Sequence, residues 1–290
     1  MKNNAMLKRT IYVCSALFIF MAYGWSAPQL TKTSPTEKYT AADMLYSADS
    51  LAAEGKAEHA ALMYRMLLEG KHPDAIRRGA VAGLWDLGRW ELDQKDVKAK
   101  ALFDGKTLKG WQGHPDLFYV AENAIVAGSL EKSIPQNEFL CAEREYRDFE
   151  LQLDFKLANG KGNAGIQIRS QRIPNHNEMI GYQADIGQQY WGCLYDESRR
   201  KKVLVTADKK VIKKVLKPMD WNHYKIRCMG RRIQLWINGG QTVDYLEPDP
   251  KIPLHGLIGL QIHSGDPSEI RYKNITIHEF KIEDALKQKN

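Results

Sequence analysis

The sequence predicts a mainly β protein: a sandwich of two antiparallel sheets preceded by a small α-helical segment. Three observations predict it. Beyond residue 101 apolar residues recur at alternate positions in short runs, and Gly, Pro, Asn and Asp separate those runs. Before residue 90 the apolar spacing is instead that of helices.

The chain opens with Lys2, Lys8 and Arg9, then an apolar run from Ile11 to Ala22, then the small residues Gly24, Ser26 and Ala27. That order is the signature of a secretory signal peptide, expected over 1–27. The run is short for a transmembrane helix, so no stable membrane span is expected after cleavage, and an uncleaved anchor is the alternative. Cys14 lacks lipobox-like residues before it, so lipid attachment is not expected there. The protein is therefore read as exported, periplasmic or extracellular. Residues 28–38, rich in Pro, Thr, Ser and Lys, have little to bury and read as a flexible leader.

Loss of the signal removes three basic residues and lowers the net charge from +7 to +4. So small a surplus implies no nucleic-acid partner. The basic clusters Arg199–Lys202, Lys209–Lys210 and Lys213–Lys214 are not interleaved with aromatics and read as solvated loop or hairpin faces. Cys141, Cys193 and Cys228 form neither a disulfide framework nor a zinc spacing, and are expected as buried thiols.

Within 28–100 the helical segment carries three stripes. Met44, Leu45, Ala48, Leu51 and Ala52 form one before Gly55; Ala60, Ala61, Tyr64, Leu67 and Leu68 form a second before Gly70; Ile76, Ala80, Val81 and Leu84 form a third behind Pro73. The first two resemble one tetratricopeptide-like helix pair, a unit that in other proteins binds protein partners. A single pair makes no solenoid, so a cap or spacer packed on the larger domain is the other expectation. Residues 91–100, dominated by Lys, Asp and Gln, read as a linker.

The larger domain is expected over 101–283. In Asp148–Lys156, Phe149, Leu151, Leu153 and Phe155 fall on one face, and Glu150, Gln152, Asp154 and Lys156 on the other. The alternation returns at 164–170, 181–186, 221–228, 232–237, 256–263 and 270–280, and Asn238-Gly239-Gly240 forms a tight hairpin turn.

Four stretches carry a family resemblance: Leu102-Phe103-Asp104-Gly105-Lys106-Thr107-Leu108 with Gly110-Trp111; Gly162-Asn163-Ala164-Gly165-Ile166 with Arg169; Trp221-Asn222; and Gly259-Leu260-Gln261-Ile262-His263 with Tyr272-Lys273-Asn274-Ile275. Over about residues 101–281 the chain resembles the 3-keto-disaccharide hydrolase family. The resemblance implies a concanavalin A-like jelly-roll sandwich acting on glycosides oxidised at carbon 3. The chain departs from many relatives in having Tyr182-Gln183-Ala184-Asp185 in place of Tyr-Glu-x-Gln, and Lys273 in place of Arg. The stretch Trp191–Arg200 looks like a subgroup insert.

Periodicity selects the polar residues that share a face. With Ile166 and Ile168 in the core, Gln167 and Arg169 point outward; with Tyr182, Ala184 and Ile186 in the core, Gln183 and Asp185 do. Ile258, Leu260 and Ile262 likewise leave Gln261 and His263 outward. Lys273 is outward if Tyr272 is inward, although Ile275 and Ile277 share its phase. Gln, Asp, His and Arg bond hydroxyls directionally, whereas a merely solvated face is usually Lys- and Glu-rich. Trp191 and Tyr195 offer flat surfaces for a sugar ring, or else are core. With the resemblance a carbohydrate partner is expected, and without it an ordinary solvated sheet face is the other reading.

For such a substrate the resemblance implies elimination across carbons 1 and 2, followed by hydration, with three roles to fill. Asp185 or His263 is the base, Arg169 or a metal ion assists the enolate, and Glu197 or Tyr195 is the acid, with the roles exchangeable. No cofactor is firmly implied, and a divalent metal ion is compatible with the His and Asp content. No acidic pair in one strand suggests an ordinary glycosidase. A non-catalytic, lectin-like module on the same fold is the alternative.

Overall fold

The computed structural model describes residues 40–89, 99–249 and 251–281. The expected signal peptide and leader and most of the linker lie outside the described residues.

Three helices come first: α1 (Ala41–Ala53), α2 (Ala57–Glu69) and α3 (Asp74–Asp86). The predicted stops act as expected. Gly55 takes φ +78° just after α1, and Pro73 caps α3 with φ −53°. The stripe residues Ala48, Ala60, Ala61, Tyr64, Leu67, Ala80, Val81 and Leu84 are buried together. A Cβ on Gly83 would lie 2.2 Å from the Tyr64 ring, so glycine is what lets α3 approach α2 so closely.

The helices do not stand alone. Their cluster continues through Trp85 and Leu87 to Met229 and Phe280 of the β region. Asp86 pairs with Arg147 at 3.2 Å, and its carbonyl accepts from Arg231. They cap one end of the sandwich.

The β region forms two antiparallel sheets. The back sheet has eight strands: β1 (Lys100–Ala101), β3 (Phe118–Ala121), β4 (Ala124–Ser129), β6 (Phe149–Leu157), β11 (Asn222–Met229), β12 (Arg232–Ile237), β13 (Gly240–Leu246) and β15 (Ser268–Glu279). Its order is β13-β12-β11-β6-β15-β4-β3, with β1 on the far half of β15. The front sheet has seven: β2 (Trp111–Gln112), β5 (Glu138–Ala142), β7 (Asn163–Arg172), β8 (Met179–Gly187), β9 (Leu194–Glu197), β10 (Lys202–Val205) and β14 (Leu257–Ile262), ordered β10-β9-β8-β7-β14-β5-β2.

The core lies between them. Phe149, Leu151, Leu153 and Phe155 are fully buried, as are Ile166, Ile168, Ala184, Ile186, Leu260 and Ile262 opposite, as the alternation predicts. Each Phe, Leu and Ile among them contributes about 1.5–3 kcal/mol of burial. The β12–β13 turn carries Asn238 and Gly239 at φ +47° and +82°, the two positive values a right-twisted two-residue hairpin needs. Cys141, Cys193 and Cys228 are buried and form no disulfide among the described residues.

Two expectations for the basic clusters need correction. Lys209–Lys210 and Lys213–Lys214 lie on a helix, α4 (Lys209–Val215), capped by Asp208 accepting from the Lys210 N–H at 2.7 Å. Ile212 and Val215 turn to the core, which makes the period helical. Arg199 and Arg200 are not a solvated face. Both pair with the fully buried Asp196, and Arg200 also reaches Glu247 at 2.6 Å, over the ring of Tyr182.

Candidate active site

The front sheet's outer face carries a cavity lined by Asn137, Asn163, Gln183, Asp185, Tyr190, Tyr195, Glu197 and His263. It encloses about 500 Å3, its open mouth included, which suits a small ligand. Gln183 and Asp185 come from β8, Tyr195 and Glu197 from β9, and His263 directly follows β14. Period-two geometry brings them together: Gln183 stands opposite Tyr195, and Gly181 opposite Glu197.

The β8–β9 connection is sharp. Gly187, Gln188 and Gly192 all take positive φ, the Asp185 N–H donates to Cys193 O, and Asp185 O accepts from the Gly192 N–H. The turn so formed places Tyr190 at the cavity.

Asp185 is 4% exposed, and its Oδ1 accepts from Gln183 Nε2 at 2.8 Å. Burial lifts its pKa to about 8, with Glu197 adding to the rise and the Gln183 bond opposing it. Glu197 is also raised, by burial and then by Glu178, while His263 opposes. Burial and the same carboxylates raise the Tyr195 phenol. Asp185 and the Tyr195 phenol on this wall therefore hold their protons at neutral pH.

His263 is fixed differently. Its Nδ1 lies 2.7 Å from the carbonyl of Ser264, which can only accept, so Nδ1 carries a hydrogen and the tautomer this fits has its lone pair on Nε2. The His263 N–H donates to Asn163 O, and Asn137 Oδ1 accepts from the Ser264 N–H. Asn163 Oδ1 is buried without a protein partner at the cavity wall.

Of the residues expected in the site, Asp185, His263, Glu197, Gln183 and Tyr195 converge. Five do not line the cavity. Arg169 takes φ +49° at a bulge in β7, and its guanidinium, 1% exposed, pairs with Asp148 at 3.1 Å and donates to the carbonyls of Arg147 and Gly230. It ties sheet ends together. Gln167 and Gln261 do lie on the front sheet's outer face, but both are fully buried. Gln167 bonds Gln183, and the Gln261 amide has no protein partner.

Trp191 packs on the core and stacks with Phe155 at 6.3 Å. Lys273 is on the other sheet, its Nζ 3.9 Å over the Trp221 ring. A bulge at Asn274, φ +52°, resolves the phase conflict there, since it lets Tyr272, Ile275 and Ile277 all face inward.

Asn137, Asn163 and Tyr190 were not anticipated as lining residues. Asn163 had a signal, since it shares the phase of Gly165 and Gln167 on the same strand. The other two stand outside regular strands, where periodicity has no phase. Among the described residues no group of three or more His, Cys, Asp or Glu side chains is placed to hold a metal ion.

Fold and site together define a class: a jelly-roll β-sandwich with a cavity of ionisable side chains on one outer face. The chain belongs to the 3-keto-alpha-glucoside-1,2-lyase-like domain family, whose model matches residues 98–278 and so spans every cavity residue. Among solved structures it is similar to two candidate glycosyl hydrolases from Parabacteroides distasonis. One is 26% identical, covering 63% of this chain and 100% of that one, with a TM-score of 0.46. The other is 17% identical, covering 63% and 94%, with a TM-score of 0.49. The carbohydrate binding module CBM66 from Bacillus subtilis is also similar, at 14% identity, 59% and 96% coverage and a TM-score of 0.44. No curated protein matches the chain.

Proposed function

We propose that the protein cleaves glycosides carrying a ketone at carbon 3, by elimination and then hydration. One observation carries this reading: a carboxyl group that keeps its proton to about pH 8 shares a cavity with an imidazole whose Nε2 is free to accept one. Elimination needs such an acid and base together. An ordinary sugar-binding face has no use for either.

The ketone acidifies the hydrogen on carbon 2. His263 Nε2 takes that proton, and the electron pair forms an enolate whose oxygen receives a hydrogen bond from the protonated Tyr195 phenol. The pair then returns to form the carbon 1–carbon 2 double bond as the carbon 1–oxygen bond breaks, and Asp185 gives its proton to the departing oxygen. Hydration reverses the roles. The Asp185 carboxylate takes a proton from water as its oxygen adds to carbon 1, and His263 returns a proton to carbon 2. Glu197 and Asn163 Oδ1 contact substrate hydroxyls. The order of residues at the start of the chain supports export, which puts this chemistry in the periplasm or outside the cell.

Incubation of the full chain with a 3-keto-disaccharide and with its unoxidised parent, in heavy water, tests the reading. Early release of sugar from the keto compound alone, with deuterium at carbon 2 of the product, is expected. Release without deuterium would overturn elimination. Tight binding of the parent sugar with no turnover of either compound would make the protein a binding module.

A further inference from the structure

Just past β14, three consecutive backbone N–H groups are taken by three different parts of the chain. The His263 N–H donates to Asn163 O at 3.2 Å, the Ser264 N–H to Asn137 Oδ1 at 2.9 Å, and the Gly265 N–H to Ile134 O at 2.9 Å, with the Ile134 N–H donating back to Gly265 O. The peptide groups on both sides of Ser264 are therefore held. With them is held the Ser264 carbonyl, which lies 2.7 Å from His263 Nδ1. A contact between a ring and the carbonyl of the next residue lasts only while that peptide cannot turn.

Asn137 is the side chain among those holds, and its orientation is fixed. A backbone N–H can only donate, so the Asn137 amide must meet Ser264 with its oxygen, since a flipped amide would set one N–H against another. Its nitrogen is left for Glu178. Nδ2 donates to Glu178 Oε1 at 2.8 Å, and Glu178 directly precedes β8 as Asn137 directly precedes β5. Asn137 lines the cavity, whereas Glu178 does not, and Glu178 Oε2 is buried without a protein partner. The Glu178 carboxylate therefore serves Asn137 rather than the cavity.

We propose that Asn137, braced by Glu178, holds Ser264 so that its carbonyl keeps the hydrogen of the neutral His263 ring on Nδ1, which makes Asn137 and Glu178 positioning residues for the base. The proposal rests on His263 acting as the base in the reaction above. A base must present a lone pair, and a neutral imidazole whose hydrogen has moved to Nε2 has none there to offer carbon 2. The third group of a Ser–His–Asp triad fixes its histidine in the same sense. Here a backbone carbonyl makes the contact, and two side chains stand behind it.

The test uses Glu178→Ala, Glu178→Gln and Asn137→Ala in the full chain, with two measurements. The first needs no substrate. Proton–nitrogen NMR of 15N-labelled histidine, in alkaline buffer where the ring is neutral, reads which nitrogen of His263 carries the hydrogen, and His263→Ala assigns the signal. Wild type should show it on Nδ1. Both alanine variants should move the tautomer ratio toward Nε2 by about fivefold, the scale of one hydrogen bond. Glu178→Gln keeps an oxygen that can accept from Asn137 and should keep the wild-type ratio. Glu178 also acts on Glu197, which in turn acts on His263, and Gln removes that charge just as Ala does. The difference between the two variants therefore isolates the bond. The second measurement is turnover of the 3-keto-glycoside, where kcat should fall about fivefold in Glu178→Ala with KM changing less than about twofold, and Glu178→Gln should restore most of the loss. Thermal melting identifies a variant that has merely unfolded, and the others then carry the test. A wild-type hydrogen on Nε2, an Nδ1 hydrogen that no folded variant disturbs, or a Gln variant that behaves as Ala does would each overturn the proposal. A ratio that responds as expected in a protein whose wild type turns over no 3-keto-glycoside leaves the brace standing and removes the reaction.

Discussion

The two outer faces of this sandwich follow the same alternation and hold different chemistry. On the back sheet, charges stand opposite charges. Arg227 faces Glu150 across β11 and β6 at 2.8 Å, His223 faces Asp154 at 2.9 Å, and Lys225 lies against Trp236 at 4.2 Å. On the front sheet the residue opposite Asp185 is Gly165, and the one opposite Gln183 on β7 is another glutamine. These back-sheet groups each face a charged or aromatic partner, whereas on the front sheet Asp185 is buried with no partner ion opposite it. Alternation therefore locates the outward residues, and the residue across the strand tells a solvated face from a site.

The largest expected effect tests a residue that belongs to neither face. Arg169 and Asp148 form a pair whose side chains are 1% and 9% exposed. Removing one partner strands a buried charge, so Arg169→Ala should lower unfolding free energy by about 3 kcal/mol. Chemical denaturation measures it. Activity per folded molecule should survive, and a variant that is stable yet inactive would return Arg169 to the site.

Next come Asp185→Asn and His263→Ala, each expected to reduce turnover of a 3-keto-glycoside by roughly a hundredfold or more in protein that still unfolds cooperatively. Steady-state kinetics beside a thermal melt separates the two effects. Wild-type activity at both residues' expense would move the site elsewhere.

The pH dependence follows from Asp185. In the proposed role of acid it works protonated, so turnover should fall as pH rises through about 8, and Asp185→Asn should lack that limb. Stability has its own sign. The folded carboxyl titrates near 8 against 3.8 for an ordinary aspartate, so between those values the folded chain holds the extra proton. Stability then declines as pH climbs through that window and levels above it. Denaturation from pH 4 to 9 should show a flatter slope for Asp185→Asn than for wild type.

Much of this was legible in the sequence because burial is a local demand repeated every second residue. Phe149 to Phe155, Tyr182 to Ile186 and Ile258 to Ile262 could be assigned to the core from phase alone. The outward phase likewise delivered Gln183, Asp185 and His263. It failed where the backbone changes phase. The bulges at Arg169 and Asn274 each insert a residue with positive φ, which a period count cannot see. It was silent for Asn137 and Tyr190, since residues outside regular strands reach the cavity through the register of strands far apart in sequence. Trp191 shows a further limit, because a tryptophan in a turn offers no phase to choose core over cavity.

Lys273 gives the smallest effect and the sharpest contrast between the faces. Periodicity alone would group it with Asp185 and His263, yet it stands on β15, opposite Asp154 of β6, with its ammonium over Trp221. A partly exposed cation–ring contact is worth about 0.5–1 kcal/mol, and solvent takes over much of what it loses on truncation. Lys273→Ala should therefore shift unfolding free energy by less than about 1 kcal/mol and leave kcat and KM for the 3-keto-glycoside unchanged. At Asp185 the pattern differs, with a large loss of turnover and a stability change that depends on pH. A fall in turnover for Lys273→Ala matching that for Asp185→Asn would mean that the back face takes part in catalysis, and the division between a solvated sheet and a working one would be lost.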